Sequence, residues 1–280
     1  MTTRSLRVAH SPDSDDAFMF YALADHLIDT GDLEFIHELQ DIETLNRRAM
    51  NGELEVTAVS IHAYAYIADK YALLPHGASM GEGYGPRLVS KSPLTPRELK
   101  GKTVAIPGEM TSAYLALKMF EPDVRTHVVP FDQILDHVNE GGADVGLIIH
   151  EGQLTYRDEG LHLVQDLGEW WASETGGLPL PLGGNVIRRD LGHDLIVKAS
   201  RLLRESIAYS LDHRAAGLAH SRKYSRDLTE AQTDEFVGMY VNSRTLDYGP
   251  DGRRAVQLFL DRGYEAGLIP NKVTVDFVED

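Results

Sequence analysis

The residues best placed to do chemistry follow the ends of predicted strands. His150 closes the apolar run VGLII and precedes Glu151, so its imidazole is expected at a cleft mouth, where a titratable nitrogen could serve as a general base. The alternative for a strand-end histidine is a hydrogen bond to a neighbouring carbonyl. In GEMTSAY, Thr111, Ser112 and the Ala113 amide open a predicted helix. Hydroxyls and unpaired N–H groups together make a receptor for a carboxylate or phosphate there, whereas an ordinary N-cap needs only one of the hydroxyls. Ser60, after VTAV, carries the same two readings. SPDSDDAF places Ser11 after the first strand and crowds Asp13, Asp15 and Asp16 into one turn. These carboxylates could hold a divalent cation or orient ligand donors, but the spacing and glycine of a calcium loop are missing and the helix dipole explains them. No metal is expected. Asp41 and Asn46 lie near another helix start, with capping as the alternative role.

Such residues must be carried by strands alternating with helices. LRVAH reads as a buried strand and AFMFYALADHLI as a helix, with apolar residues recurring at spacings of three and four. Leu33 to Leu39 alternates as a second strand. DIETLNRRAMNGE is helical, opened by Asp41 and closed near Asn51-Gly52. VTAVSIHAYAYIADKY continues as strand, Ser60, then helix. The pattern repeats after a Pro-rich stretch: TVAIPG is a strand, a helix follows from Thr111 and Ser112, and VVPFDQILDHVNEGGADVGLIIHE gives strand, helix and strand. GGLPLPLGGNVIRRDLG reads as a return crossing, and the remainder is mainly helical. These β-α-β units imply parallel sheets. The predicted organisation is an α/β chain of two lobes, one from residues 1–95 and 181–280 and a smaller one from 96–180, joined by two crossovers around a central cleft. Ligand groups then gather at the carboxyl ends of the strands.

Composition narrows the chemistry. The chain has 280 residues, 27 basic and 43 acidic side chains, a formal charge of −16 and no cysteine. Disulfides, thiolate nucleophiles and cysteine-ligated metals are excluded. A nucleic-acid partner is disfavoured because no basic run occurs, and so is an anionic membrane surface. The first residues lack the apolar run of a signal peptide and no stretch is apolar enough to cross a bilayer, which suggests a cytoplasmic protein. No G-x-G-x-x-G, Walker or H-E-x-x-H motif is present.

VGLIIHEGQLTY, DLGEWW, GLPLPLG and RRDLG, in that order and spacing, resemble the 1,4-dihydroxy-6-naphthoate synthase family of the futalosine route to menaquinone. DIETLNRRAMNGELEVT and PGEMTSAYLAL extend the resemblance over most of the chain. It implies a two-lobed periplasmic binding protein-like fold of type II, used as a cytoplasmic enzyme without a cofactor. The implied reaction cleaves cyclic dehypoxanthinyl futalosine, a small-molecule carboxylate, to 1,4-dihydroxy-6-naphthoate and dihydroxyacetone. His150 falls on the family's general base. Ser60, Thr111, Ser112 and Ala113 fall on or beside its carboxylate-binding positions, and Asp41, Asn46, Ser11 and Asp16 on further polar positions of the pocket. The chain departs from the family's SPCPND-T with SPDSDDAF, and from its T-K-hydrophobic-S with Thr57-Ala58-Val59-Ser60. Both departures make the pocket more acidic. The alternatives are a cytoplasmic solute-binding or sensor protein of the same fold and a chorismate dehydratase-like enzyme.

Overall fold

The computed structural model describes residues 3–224 and 228–279. Among these, the strands are β1 (Arg4–His10), β2 (Leu33–Leu39), β3 (Val56–Ser60), β4 (Tyr71–Leu73), β5 (Ser79–Gly81), β6 (Arg87–Ser90), β7 (Thr103–Ile106), β8 (Arg125–Val128), β9 (Val145–Ile148), β10 (His162–Asp166) and β11 (Leu180–Arg188). The α-helices are α1 (Ser14–Met19), α2 (Tyr21–Ala24), α3 (Ile42–Met50), α4 (Ile61–Tyr64), α5 (Ser112–Phe120), α6 (Ile134–Asn139), α7 (Gly152–Thr155), α8 (Leu167–Thr175), α9 (His193–Asp212), α10 (Arg214–Ser221), α11 (Glu230–Tyr240), α12 (Ser243–Leu246) and α13 (Gly249–Glu265).

Two sheets form, in the orders β2-β1-β3-β11-β4, with β5 also on β11, and β10-β6-β9-β7-β8. Each begins with three parallel strands, which require helical crossovers, supplied by α1 to α3 in one lobe and by α5 and α6 in the other. Each then accepts an antiparallel strand arriving from the opposite lobe: β11 beside β3, and β6 beside β9. The first crossing therefore lies between Gly81 and Arg87, ahead of the division expected at residue 95. Arg87–Ser90 reads as an apolar strand whichever sheet takes it, and its hydrogen bonds to β9 and β10 place it in the second.

Local sequence explains most element ends. Helix α3 starts where the Asp41 carboxylate accepts the Thr44 N–H at 2.9 Å, has Arg47 and Arg48 in its last turn, and is followed by Gly52 at φ +70°. The single helix expected over 17–28 is instead broken at Phe20. Phe18, Met19 and Phe20 are all buried, and three consecutive buried residues cannot share one helical stripe. Helix α4 likewise stops after four residues.

The main core is continuous across the lobes. Val59, Leu73 and Val186 of the first sheet join one cluster with Leu88, Val104 and Leu147 of the second, through Leu115, Trp171 and Phe259. At the first crossing, backbones meet without side chains between them: a Cβ on Gly81 or Gly168 would stand 1.9 Å from the Tyr84 carbonyl oxygen. The GEGYGP segment is thus a packing motif.

Buried histidines give the fold a pH dependence. Burial holds His10 and His76 down at about 3, and His37 and His62 at about 4. Below the ordinary value of 6.5 the unfolded chain takes up protons that these four refuse, so stability rises with pH from about 4 to 6.5. Asp16 opposes them, since burial pushes it up to about 7 and its protonated form is favoured in the fold. Four histidines outweigh Asp16 and Asp15, which burial also raises. We expect the melting temperature to climb between about pH 4.5 and 6.5 and to level or fall just above, where Asp16 ionises. A calorimetric series across that range checks this, and a flat profile contradicts it.

Candidate active site

The carboxyl ends of the parallel strands converge on a cleft between the lobes. It is a concave, partly open cavity of about 110 Å³, the kind of site in which small molecules bind. One wall is the turn after β1 and the start of α1, with Ser11, Asp13, Asp15 and Asp16. The facing wall is the start of α5, with Thr111, Ser112 and Ala113. Ser60, Gly183, Gly184 and Asn185 form the floor, and Tyr240 and Phe236 of α11 approach from one side.

The start of α5 combines both roles expected of it. The Thr111 hydroxyl is a true cap, accepting the Tyr114 N–H at 3.1 Å and donating to the Gly108 carbonyl at 2.9 Å. The Ser112 hydroxyl donates to the Leu182 carbonyl at 2.5 Å and accepts the His62 N–H at 3.1 Å, tying α5 to the floor and to α4. The Ser112 and Ala113 N–H groups have no acceptor among the described residues. With the helix dipole behind them they make an anion receptor on the cleft wall.

Ser60 caps nothing with its side chain. Its N–H donates to Asn46 Oδ1 at 2.8 Å and its hydroxyl accepts from Asn46 Nδ2 at 3.1 Å. Asn46 is fully buried and also reaches the Met110 carbonyl at 3.4 Å, so it positions Ser60 and the α5 approach from behind the cleft. The Asp41 carboxylate is occupied by Thr44, whose hydroxyl donates to it at 2.6 Å, and its neighbour Ile42 lines the cleft instead. Ser11 donates its N–H to Asp16 Oδ2 at 2.7 Å, and its hydroxyl accepts the Asp13 N–H at 3.0 Å. Burial, with Asp16, Asp13 and Glu151 nearby, also raises Asp15. Among the described residues no group of three or more His, Asp or Glu could hold a metal ion.

His150 stands one residue beyond Ile149, which lines the cleft. Its Nδ1 accepts the Gly152 N–H at 2.9 Å, so the proton is on Nε2, which donates to the Phe131 carbonyl at 2.7 Å. The neighbouring Glu151 accepts the Ser14 hydroxyl at 2.6 Å across the cleft. Further bonds hold the lobes together. Glu43 accepts the Met110 N–H at 3.1 Å, and the Tyr240 hydroxyl donates to Gln153 at 2.8 Å. Gly108 permits the first of these, since a Cβ there would lie 2.3 Å from the Glu43 carboxylate. Glu43, Gln153, Asn185, Phe236 and Tyr240 were not singled out from sequence. Glu43 lies in DIETLN, Gln153 in VGLIIHEGQLTY and Asn185 in the return crossing, segments with a sequence signal that did not point to these side chains.

A family model described as menaquinone biosynthesis matches residues 6–265. The chain belongs to the menaquinone biosynthesis family. Two curated relatives in it are named 1,4-dihydroxy-6-naphthoate synthase. The one from Thermus thermophilus is 40% identical over 265 residues, covering 94% of this chain and 96% of its own. The one from Streptomyces coelicolor is 35% identical over 276 residues, covering 96% of each. A crystal structure of a protein from Archaeoglobus fulgidus is similar with a TM-score of 0.91 and 46% identity, covering 95% of this chain and 98% of that one. The alkanesulfonate-binding protein from Xanthomonas axonopodis, bound to MOPS, has a TM-score of 0.73 at 15% identity, covering 98% and 97%. This member of the menaquinone biosynthesis family thus has the two-lobed periplasmic binding protein-like fold. No described helix is long and apolar enough to cross a membrane.

Proposed function

We propose that the chain is a cytoplasmic, cofactor-independent carbon–carbon lyase that cleaves cyclic dehypoxanthinyl futalosine to 1,4-dihydroxy-6-naphthoate and dihydroxyacetone, with His150 as general base. The observation that carries the reading is the likeness, over 94% of the chain, to a curated 1,4-dihydroxy-6-naphthoate synthase. The cleft agrees with it in one respect: the free Ser112 and Ala113 N–H groups suit a carboxylate.

Removal of one proton starts a fragmentation whose product ring becomes aromatic, so much of the driving force belongs to the substrate. The protein supplies a base, an orientation and a dry cavity. For His150 to take a proton, substrate must replace one of its present partners. Exchange of the Gly152 N–H frees the Nδ1 lone pair, and rotation of the ring toward Ile149 brings it to the cleft. Catalytic hydrogen bonds often form only once substrate is bound.

The test is incubation of purified protein with cyclic dehypoxanthinyl futalosine, followed by chromatography and mass spectrometry. Catalytic formation of both products is the expected result. Stoichiometric binding without product would overturn the lyase in favour of a solute-binding or sensor protein.

A further inference from the structure

Asn185 is a buried polar residue without a full set of partners. It is 1% exposed, lies on β11 opposite Ala58 of β3, and lines the cleft. Its backbone carbonyl accepts the Leu74 N–H at 2.8 Å, but the side-chain Nδ2 has no partner among the described residues. An unmet buried donor is costly, so such a group is retained where a ligand completes it. Gly77, another cleft residue, lets the amide lie close against its backbone: a Cβ there would stand 2.1 Å from Asn185 Nδ2.

The surroundings state what the donor can meet. Asp13, Asp15 and Asp16 line the same cleft with no cationic side chain among the lining residues, and Ala58 stands beside Asn185 on the floor. A second carboxylate would be disfavoured there, with no cation to offset its burial. A neutral oxygen would not, because the amide can donate to a hydroxyl or carbonyl while the Asp carboxyls accept from hydroxyls. The free α5 N–H groups belong to the small-lobe wall, which meets the floor strand nearer Leu182. The cleft is therefore polarised, with an anion end at Ser112 and Ala113 and a neutral, oxygen-seeking end at Asn185.

We propose that the Asn185 carboxamide is a specificity contact that holds the uncharged, hydroxyl-bearing end of the substrate while the α5 N-terminus holds its carboxylate; this rests on the lyase reading above. In that reaction the uncharged end leaves as dihydroxyacetone, and the carboxylate stays with the naphthoate.

The experiment compares wild type, Asn185→Ala, Asn185→Ser and Thr111→Val for turnover of cyclic dehypoxanthinyl futalosine and for inhibition by 1,4-dihydroxy-6-naphthoate. Asn185→Ala is expected to raise KM about tenfold with kcat changed less than about twofold, and to leave naphthoate inhibition unchanged. Thr111→Val is expected to weaken both. An unchanged KM in Asn185→Ala, or a loss shared equally by naphthoate, overturns the proposal. If Asn185→Ala fails to fold, Asn185→Ser decides by the same comparison. No product from wild type would instead overturn the reaction itself, and this inference with it.

Discussion

His150→Ala folds normally and turns over substrate about 10³-fold more slowly than wild type, in the range by which a positioned general base accelerates proton transfer. The argument starts from what the imidazole does without substrate. It bridges the Phe131 carbonyl and the Gly152 N–H within the small lobe, and it meets the Phe131 ring edge-on at 5.4 Å. Loss of those contacts lowers stability by about 1–2 kcal/mol. A purely structural histidine would stop there: the variant would melt earlier and keep its kcat. A base predicts a different pattern, in which kcat and kcat/KM fall together while the naphthoate inhibition constant stays near that of wild type. Steady-state kinetics with a melting curve on the same preparation separates the two, and an unchanged kcat removes His150 from the chemistry.

Gly168→Ala produces the largest loss of stability. The added methyl would lie 1.9 Å from the Tyr84 carbonyl oxygen, 2.0 Å from its carbon and 2.6 Å from the Gly85 nitrogen. These are backbone atoms of the crossing, so no rotamer change relieves the overlap, and β6 or α8 must move. A cost of about 3 kcal/mol or more follows, read as a fall in melting temperature of about 5–10 °C. Gly83→Asn is the comparison. It lies in the same GEGYGP segment at φ +76° with nothing within 4 Å of its missing Cβ, and asparagine tolerates that conformation, so its cost is below about 1 kcal/mol. Equal melting temperatures for Gly168→Ala and wild type would contradict the packing argument.

Some of this was legible in the sequence for physical reasons. Strand periodicity and turn chemistry located β1, β2, α3 and the units around β7 to β9, because each has its own apolar pattern and cap. Ser11, Asp16, Ser60 and Thr111 could be nominated because a parallel strand delivers whatever follows it to one edge of the sheet. The side chain that points inward could not be read. Asp41 and Ser60 look alike as residues before helices, yet the Asp41 carboxylate bonds its own turn while Ser60 is held on the floor by Asn46. Tyr240 and Asn185 reach the cleft from segments far along the chain, and only tertiary packing brings them there. The crossing was misplaced for a related reason: hydrophobicity marks Arg87–Ser90 as a strand without saying which sheet receives it.

The core that passes through both lobes sets the level at which this molecule is modular. Val59, Leu73 and Val186 bury their surfaces against the same cluster as Leu88, Val104 and Leu147, and α13 packs on α4, α5 and β11 at once. Each sheet has a further cluster of its own, but part of each interior is completed by the other lobe, so the halves gain their stability together and lose it together. Excising the small lobe, or exchanging it with that of a relative, would expose part of this shared interior. Cleft-lining positions such as Asp15 lie outside that shared cluster, so a change of side chain there alters what is held without disturbing what holds the two halves together.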